Sequence, residues 1–255
     1  MKNNYIYLYN NTFINLLNLI KTLIKNKIIP TNIKSFDYIP NLFEETILLD
    51  ILEDENIIKE YLDYFGKEIF NTIFSLYLST DENKEIIIFH FLVHSIKLKN
   101  KVYYMRNLKS VDLALKISKY VNHENHKYKG FLRFKELENN ILYAEIAPTN
   151  NIIFLLSNHF KKRLKNEYWI IKDVKRGIIS LYDKKNFYFV NESEFSLLTL
   201  NFSKNEKFIE DLWKKFYQTI GIAERKNERC RMNFMPKKYW KYIIEMSEEY
   251  EKSNK

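Results

Sequence analysis

Three runs rich in β-forming residues, YWIIKDV, IISLYD and FYFV, follow one another from Tyr168 to Val190. Only Lys175-Arg176-Gly177 and Lys184-Lys185-Asn186 separate them. A parallel return needs a crossover of about a dozen residues or more, so connections this short force an antiparallel meander. Upstream, GFLRFKELENNILYAEIAP alternates around Glu138-Asn139-Asn140 and predicts a hairpin. Between hairpin and meander, Asn151 to Arg163 has helical spacing, with Ile152, Phe154, Leu155, Leu156 and Phe160 on one side. Residues 205–222 predict a further helix that buries Phe208, Leu212, Phe216 and Ile220. Pro236 suits the first turn of a last helix through about Tyr250, and the tail EKSNK is expected to fray.

The first half reads differently. Tyr5-Ile6-Tyr7-Leu8-Tyr9 predicts one short strand, and Thr12 can cap a helix in which Phe13, Leu16, Leu17, Ile20, Leu23 and Ile24 recur at three and four. Residues 30–42, with Pro30 and Pro40, form a linker with room for a short extended piece. Further helices are predicted over 54–78, with Gly66 as a weak point, over 82–98 behind Asp81, and from Val111 to about Asn125 behind Ser110. His90 and His94 have the spacing of helical metal ligands, but no Glu follows His90 and apolar residues surround both, which favours core or partly buried histidines. The predicted class is α+β. A mainly helical region over 1–126 precedes a basic region over 127–255, where helices flank an antiparallel sheet, as two domains or one continuous domain.

One cysteine, Cys230, excludes an internal disulfide and an iron–sulfur cluster held by this chain, and five scattered histidines do not suggest a metal site. The opening residues read as no secretory signal, and no window offers the ~20 apolar residues of a membrane span, so a cytoplasmic location is expected. Four glycines and the absence of GxGxxG or a P-loop speak against a phosphate-cradling loop, and so against SAM bound by this chain. The net charge is +9, and its placement is more informative than its size. Residues 1–126 hold 15 basic and 15 acidic side chains, whereas residues 127–255 hold 26 and 17. An excess confined to one half suggests a surface that faces an anion.

The densest part runs from Trp213 to Trp240. Lys214, Lys215, Arg225, Lys226, Arg229, Arg231, Lys237 and Lys238, with Lys241 just beyond, stand among Trp213, Phe216, Tyr217, Phe234, Tyr239 and Trp240. Cations neutralise phosphates and rings stack on bases, so the mixture suits a nucleic acid; the alternative is core aromatics under a solvated basic face. On the predicted hairpin, Lys129, Arg133 and Lys135 share parity, and Phe131 and Phe134 cannot both be core on a flat strand, so one is a candidate stacking ring. His159 and Arg163 share a helix face, and Asp173 stands three before Arg176. Together they could grip a phosphate, act as an acid–base set, or serve only as a turn pair and a histidine bonded to a carbonyl. Glu224, Arg225 and Asn227 are expected to close a helix, with Arg225 and Arg229 clamping phosphates. Cys230, between two arginines, would have a depressed pKa if they stay close. Glu145 is the one acid on an apolar strand, and it is either an ion-pair partner or a site acid.

Several motifs, taken in order, resemble a known family. YLYNNTFINLL is similar to an opening Tyr-Asp-Gly-[Ser/Thr]-Phe-x-Gly-Leu-Leu pattern, departing at Asn10-Asn11 and Asn15. HKYKGFLRFKEL, LYAEIAP, NHFKKRL, WIIKDVKRG, IGIAERKNER and MPKKYW follow. On these motifs the chain resembles, over nearly its whole length, the DNA-repair or DNA-metabolism proteins that carry domain of unknown function 4130. The resemblance implies a radical-SAM protein encoded alongside, which holds SAM and an iron–sulfur cluster of its own, and implies DNA as a partner. In other members the domain is fused to a uracil-DNA-glycosylase-like domain. The expected function is a DNA-binding accessory subunit using Lys129, Arg133, Arg163, Arg176, Arg225, Asn227, Arg229, Lys237, Tyr239 and Trp240. The alternatives are an enzyme acting on DNA through His159, Asp173 and Glu224, and a protein–protein adaptor.

Overall fold

The computed structural model describes residues 5–49, 51, 53–195, 201–220, 222–225 and 227–253. Lys226 and the last two residues of the tail lie outside them. Contacts divide the chain into two compact units, Met1–His123 and Glu124–Lys255.

In the first unit β1 (Tyr5–Tyr9) leads into α1 (Phe13–Lys25), whose cap is the expected one: Thr12 Oγ1 accepts from the Asn15 amide at 3.2 Å. Two further strands, β2 (Asn32–Ser35) and β3 (Glu45–Leu48), lie parallel on either side of β1. β2 is the extended piece for which the linker left room, and β3 has no counterpart in the sequence reading. Four residues each, with mixed polarity, are too short for periodicity to register.

α2 (Ile57–Tyr77) and α3 (Lys84–Leu98) pack on α1, and α4 (Lys109–Phe131) begins in this unit. The apolar face of α1 is fully enclosed: Leu16, Leu17, Leu19, Ile20 and Leu23 have no exposed surface, and they share a core with Ile69, Ile73, Leu76, Phe91 and Leu92. Phe13 anchors this core edge-on to Phe74, with centroids 5.1 Å apart. Gly66 has φ +81°, so α2 is two helical stretches joined at a kink, as its composition foreshadowed. His90 packs edge-on to Phe89 at 5.4 Å. Burial, and then the neighbouring His94, holds its pKa below the ordinary value.

α4 starts at Lys109, so Ser110 is not its cap, and it continues to Phe131, well past the expected end near Asn125. The alternation of GFLRFKEL is therefore not that of a strand from Gly130. β4 is only Lys135–Glu136, paired antiparallel with β5 (Leu142–Ile146). The hairpin turns where expected, with Asn140 at φ +59°. α5 (Ile153–Arg163) then crosses over, and β6 (Trp169–Asp173) lies parallel to β5. β7 (Ile178–Tyr182) and β8 (Phe187–Asn191) complete the predicted meander. The sheet order is β4-β5-β6-β7-β8, antiparallel except at β5–β6. α5 packs on one face, where Ser157 and Ser180 hydrogen-bond at 2.8 Å and Phe160 meets Phe134 at 5.1 Å. The class is α+β, with helices flanking a five-stranded sheet in the second half.

After α6 (Glu192–Phe195) come α7 (Glu206–Ile220), α8 (Glu228–Phe234), two 3-10 turns over Lys237–Tyr242 and Ile244–Met246, and α9 (Ser247–Ser253). The single last helix expected from Pro236 is thus broken into short pieces. α7 lies where periodicity put it, but its stripe is not core: Phe208 is 70% exposed, Leu212 56%, Phe216 51% and Ile220 57%. Periodicity identifies a face that ought to be covered, and the covering side is absent from the described residues. No helix among those residues is long and apolar enough to cross a membrane.

Candidate nucleic-acid interface

The sites of interest lie in the second unit, where the last turns of α4 meet the segment after Pro236. Tyr239 is wedged against Tyr128 at 5.1 Å and Phe131 at 5.2 Å, and Trp240 donates from Nε1 to the Met235 carbonyl at 2.9 Å. Both rings are buried, at 3% exposure, so neither presents a face on which a base could stack. Cations lie over them instead. Lys127 and Lys238 stand 5.9 and 5.0 Å from the Tyr239 centroid, and Arg231 and Lys237 stand 5.0 and 5.7 Å from that of Trp240. The interleaving of rings and cations therefore has a local cause: long basic stems roof two core aromatics while their charged heads reach toward water. Phe131 and Phe134 are likewise both engaged, with Tyr239 and Phe160, which a helical Phe131 permits and a flat strand would not.

Many of the cations are neutralised. Arg133 binds Glu245 at 2.7 Å, Lys135 binds Glu210 at 2.6 Å, Lys172 binds Glu192, and Arg231 bridges Glu228 and Glu249. Arg231 is thereby turned to carboxylates, and Cys230 beside it is exposed. Among the described residues Lys129, Arg163, Arg225, Arg229, Lys237 and Lys241 have no carboxylate partner. Lys129 and Arg163 converge on His159. Burial first, and then these two cations, lowers its pKa and keeps the imidazole neutral near pH 7. His159 Nε2 is enclosed and finds no partner among the described residues, so it offers a ligand nothing from that side. Lys127 and Lys129 stand on the last turns of α4, Arg163 on the last turn of α5, and Lys237 over Trp240.

Asp173 and Arg176 are paired with each other. Asp173 is fully buried. Arg176 Nη1 donates to its Oδ2 at 2.9 Å and to the Pro148 carbonyl at 3.2 Å, while Nη2 donates to the Thr149 carbonyl. The pair staples the loop after β5 to the β6–β7 turn. From the other side Glu124 of α4, 2% exposed, accepts from the Thr149 amide at 2.9 Å, the Asn150 amide at 2.8 Å and Asn150 Nδ2 at 2.7 Å. Lys238 approaches it at 3.3 Å. Sequence reasoning missed Glu124, because a buried acid differs from an exposed one only through partners 25 residues away.

Glu224 is exposed in a 3-10 turn, Ala223–Arg225. No hydrogen bond or ion pair joins His159, Asp173 and Glu224 among the described residues, and each has its own surroundings. Asn227 does not close a helix; it opens α8 by accepting from the Cys230 amide at 2.9 Å. Glu145, the one acid of β5, has no cation partner among the described residues. It accepts from the Tyr143 hydroxyl at 2.8 Å and lines a cleft of about 320 Å³.

The description Domain of unknown function (DUF4130) belongs to the family that matches residues 82–245, more than half of the chain. The YLYNNTFINLL motif falls outside the matched stretch, which includes every basic motif from HKYKGFLRFKEL to MPKKYW. No curated protein and no solved structure matches the chain.

Proposed function

The chain belongs to the DUF4130 family, and from that premise we propose that it is a cytoplasmic DNA-binding accessory subunit in DNA repair or DNA metabolism. In this reading a radical-SAM partner holds SAM and an iron–sulfur cluster and performs the chemistry. The observation that carries the proposal is the set of cations without carboxylate partners in the second unit, above all Lys129, Arg163 and Lys237 at the ends of α4, α5 and the segment after Pro236. Cations tied to carboxylates release few counterions when a strand arrives, whereas these release them fully. A fluorescent oligonucleotide titrated at several salt concentrations should lose affinity steeply with salt. The variant Lys129→Ala/Arg163→Ala/Lys237→Ala should reduce the logarithmic salt slope by about 2–3. A flat salt dependence, or a triple variant with the wild-type slope, contradicts the proposal.

One observation favours a second reading, a protein–protein adaptor: the exposed stripe Phe208, Leu212, Phe216 and Ile220 on α7. Chain that retains its partner on a pull-down column but retains no DNA would select it. No feature of the geometry favours an enzyme built on His159, Asp173 and Glu224.

A further inference from the structure

The cleft of about 320 Å³ beside β5 combines features that these unpaired cations do not have. Its size is at the small end of the ~300–1,000 Å³ typical of small-molecule sites. On its floor Tyr143, 4% exposed, donates its hydroxyl to Glu145 Oε1 at 2.8 Å. This bond fixes the carboxylate, and the other carboxylate oxygen has no partner among the described residues. Two aromatic rings help to line the space. Phe202 is positioned by the bridge between its backbone and Leu137, and Tyr242 comes from the 3-10 turn. Arg133 and Lys135 also line the cleft, but Glu245 and Glu210 neutralise them, and Lys135 covers one side of the Phe202 ring at 5.6 Å. Lys241 on the rim, 5.4 Å from the Tyr242 centroid, is exposed and has no carboxylate partner among the described residues. An oriented carboxylate, flat walls and one available ammonium call for a ligand with the complementary pattern: a planar ring system with adjacent N–H donors and an anionic tail.

We infer that this cleft binds one guanine nucleotide, its base between the rings, its ring N–H and amino group on Glu145, and its phosphate on Lys241. Guanine is the base whose pairing edge carries two adjacent N–H donors, and a carboxylate accepts such a pair bidentately. The nucleotide is either free or a residue turned out of a strand held by the cations that lack carboxylate partners. The second source rests on the DNA-binding reading and gives it a base preference.

The test uses the full chain and calorimetric titration with dGMP, dTMP and deoxyguanosine, alongside anisotropy of an oligo-dT and a G-containing oligonucleotide. The expected result is dGMP bound about tenfold or more tightly than dTMP, a preference that Glu145→Gln removes. Lys241→Ala, on the exposed rim, should erase the advantage of dGMP over deoxyguanosine. Its circular dichroism reports whether the fold persists. Equal, weak binding of dGMP and dTMP overturns the inference, and salt-dependent oligo-dT binding in the same experiment would leave the DNA reading standing. Selective dGMP binding with no oligonucleotide bound would uphold the cleft as a free-nucleotide site and end the DNA reading.

Discussion

Replacing Arg176 by Met lowers the stability of the second unit by about 3–5 kcal/mol, the usual result of removing one partner from a buried ion pair. Asp173 has no exposed surface, and its carboxylate would keep only backbone donors such as the Lys175 amide at 3.1 Å. The loop carbonyls of Pro148 and Thr149 lose their donors as well. The measurement is a urea midpoint at unchanged slope. A loss below about 1 kcal/mol, the range of surface pairs, would mean that the staple is solvated. Asp173→Asn added to Arg176→Met should restore part of the loss, because the orphaned charge is then gone. Burial is the largest influence on Asp173 and raises its pKa above 3.8, although Arg176 and the backbone amides pull the other way. A raised carboxyl pKa means that the folded state holds the proton more tightly than the unfolded chain. Stability from this group therefore falls as pH rises from about 3.8 through the folded value. Without Arg176 the shift grows, so the variant should recover stability relative to wild type on acidification.

Glu124→Ala is expected to destabilise the same unit by on the order of 3 kcal/mol, since it removes a carboxylate acceptor shared by the Thr149 and Asn150 amides and by Asn150 Nδ2, the last on a side chain only 1% exposed. Its pH signature has the opposite sign. Burial pushes the Glu124 carboxyl up, but the donors from Asn150 and Thr149, with Lys238, together outweigh burial and hold its pKa below 4.5. A depressed carboxyl contributes fully above the unfolded value of about 4.5 and loses that contribution as pH falls through the lower folded pKa. The gap between wild type and Glu124→Ala should thus narrow below pH about 4.5. Equilibrium unfolding at pH 7, 5 and 3.5 checks this, and a gap that does not change with pH would show that packing, not the carboxylate's hydrogen bonds, holds the loop.

Both groups grip the loop after β5, yet only one of them stood out in the sequence. Asp173 and Arg176 are three apart, and a turn pair was among the readings open for them. Glu124 and the Thr149–Asn150 amides are separated by an entire hairpin, and no local pattern signals the match. The same limit explains Tyr239 and Trp240. Their ring-and-cation pattern was legible, but the burial of Tyr239 depended on α4 running on to Phe131.

Local spacing by itself determined the helices over 13–25 and 153–163, the cap at Thr12, the turn at Asn140 and the β6–β7–β8 meander, because each rests on residues within one or two turns of each other. Tertiary structure alone decided which cations meet carboxylates, that the α7 stripe faces solvent, and that Glu145 lines a cleft instead of joining an ion pair. Electrostatic pairing and burial are set by distances across the fold, and two residues 112 apart in sequence, such as Arg133 and Glu245, carry no local trace of the 2.7 Å between them.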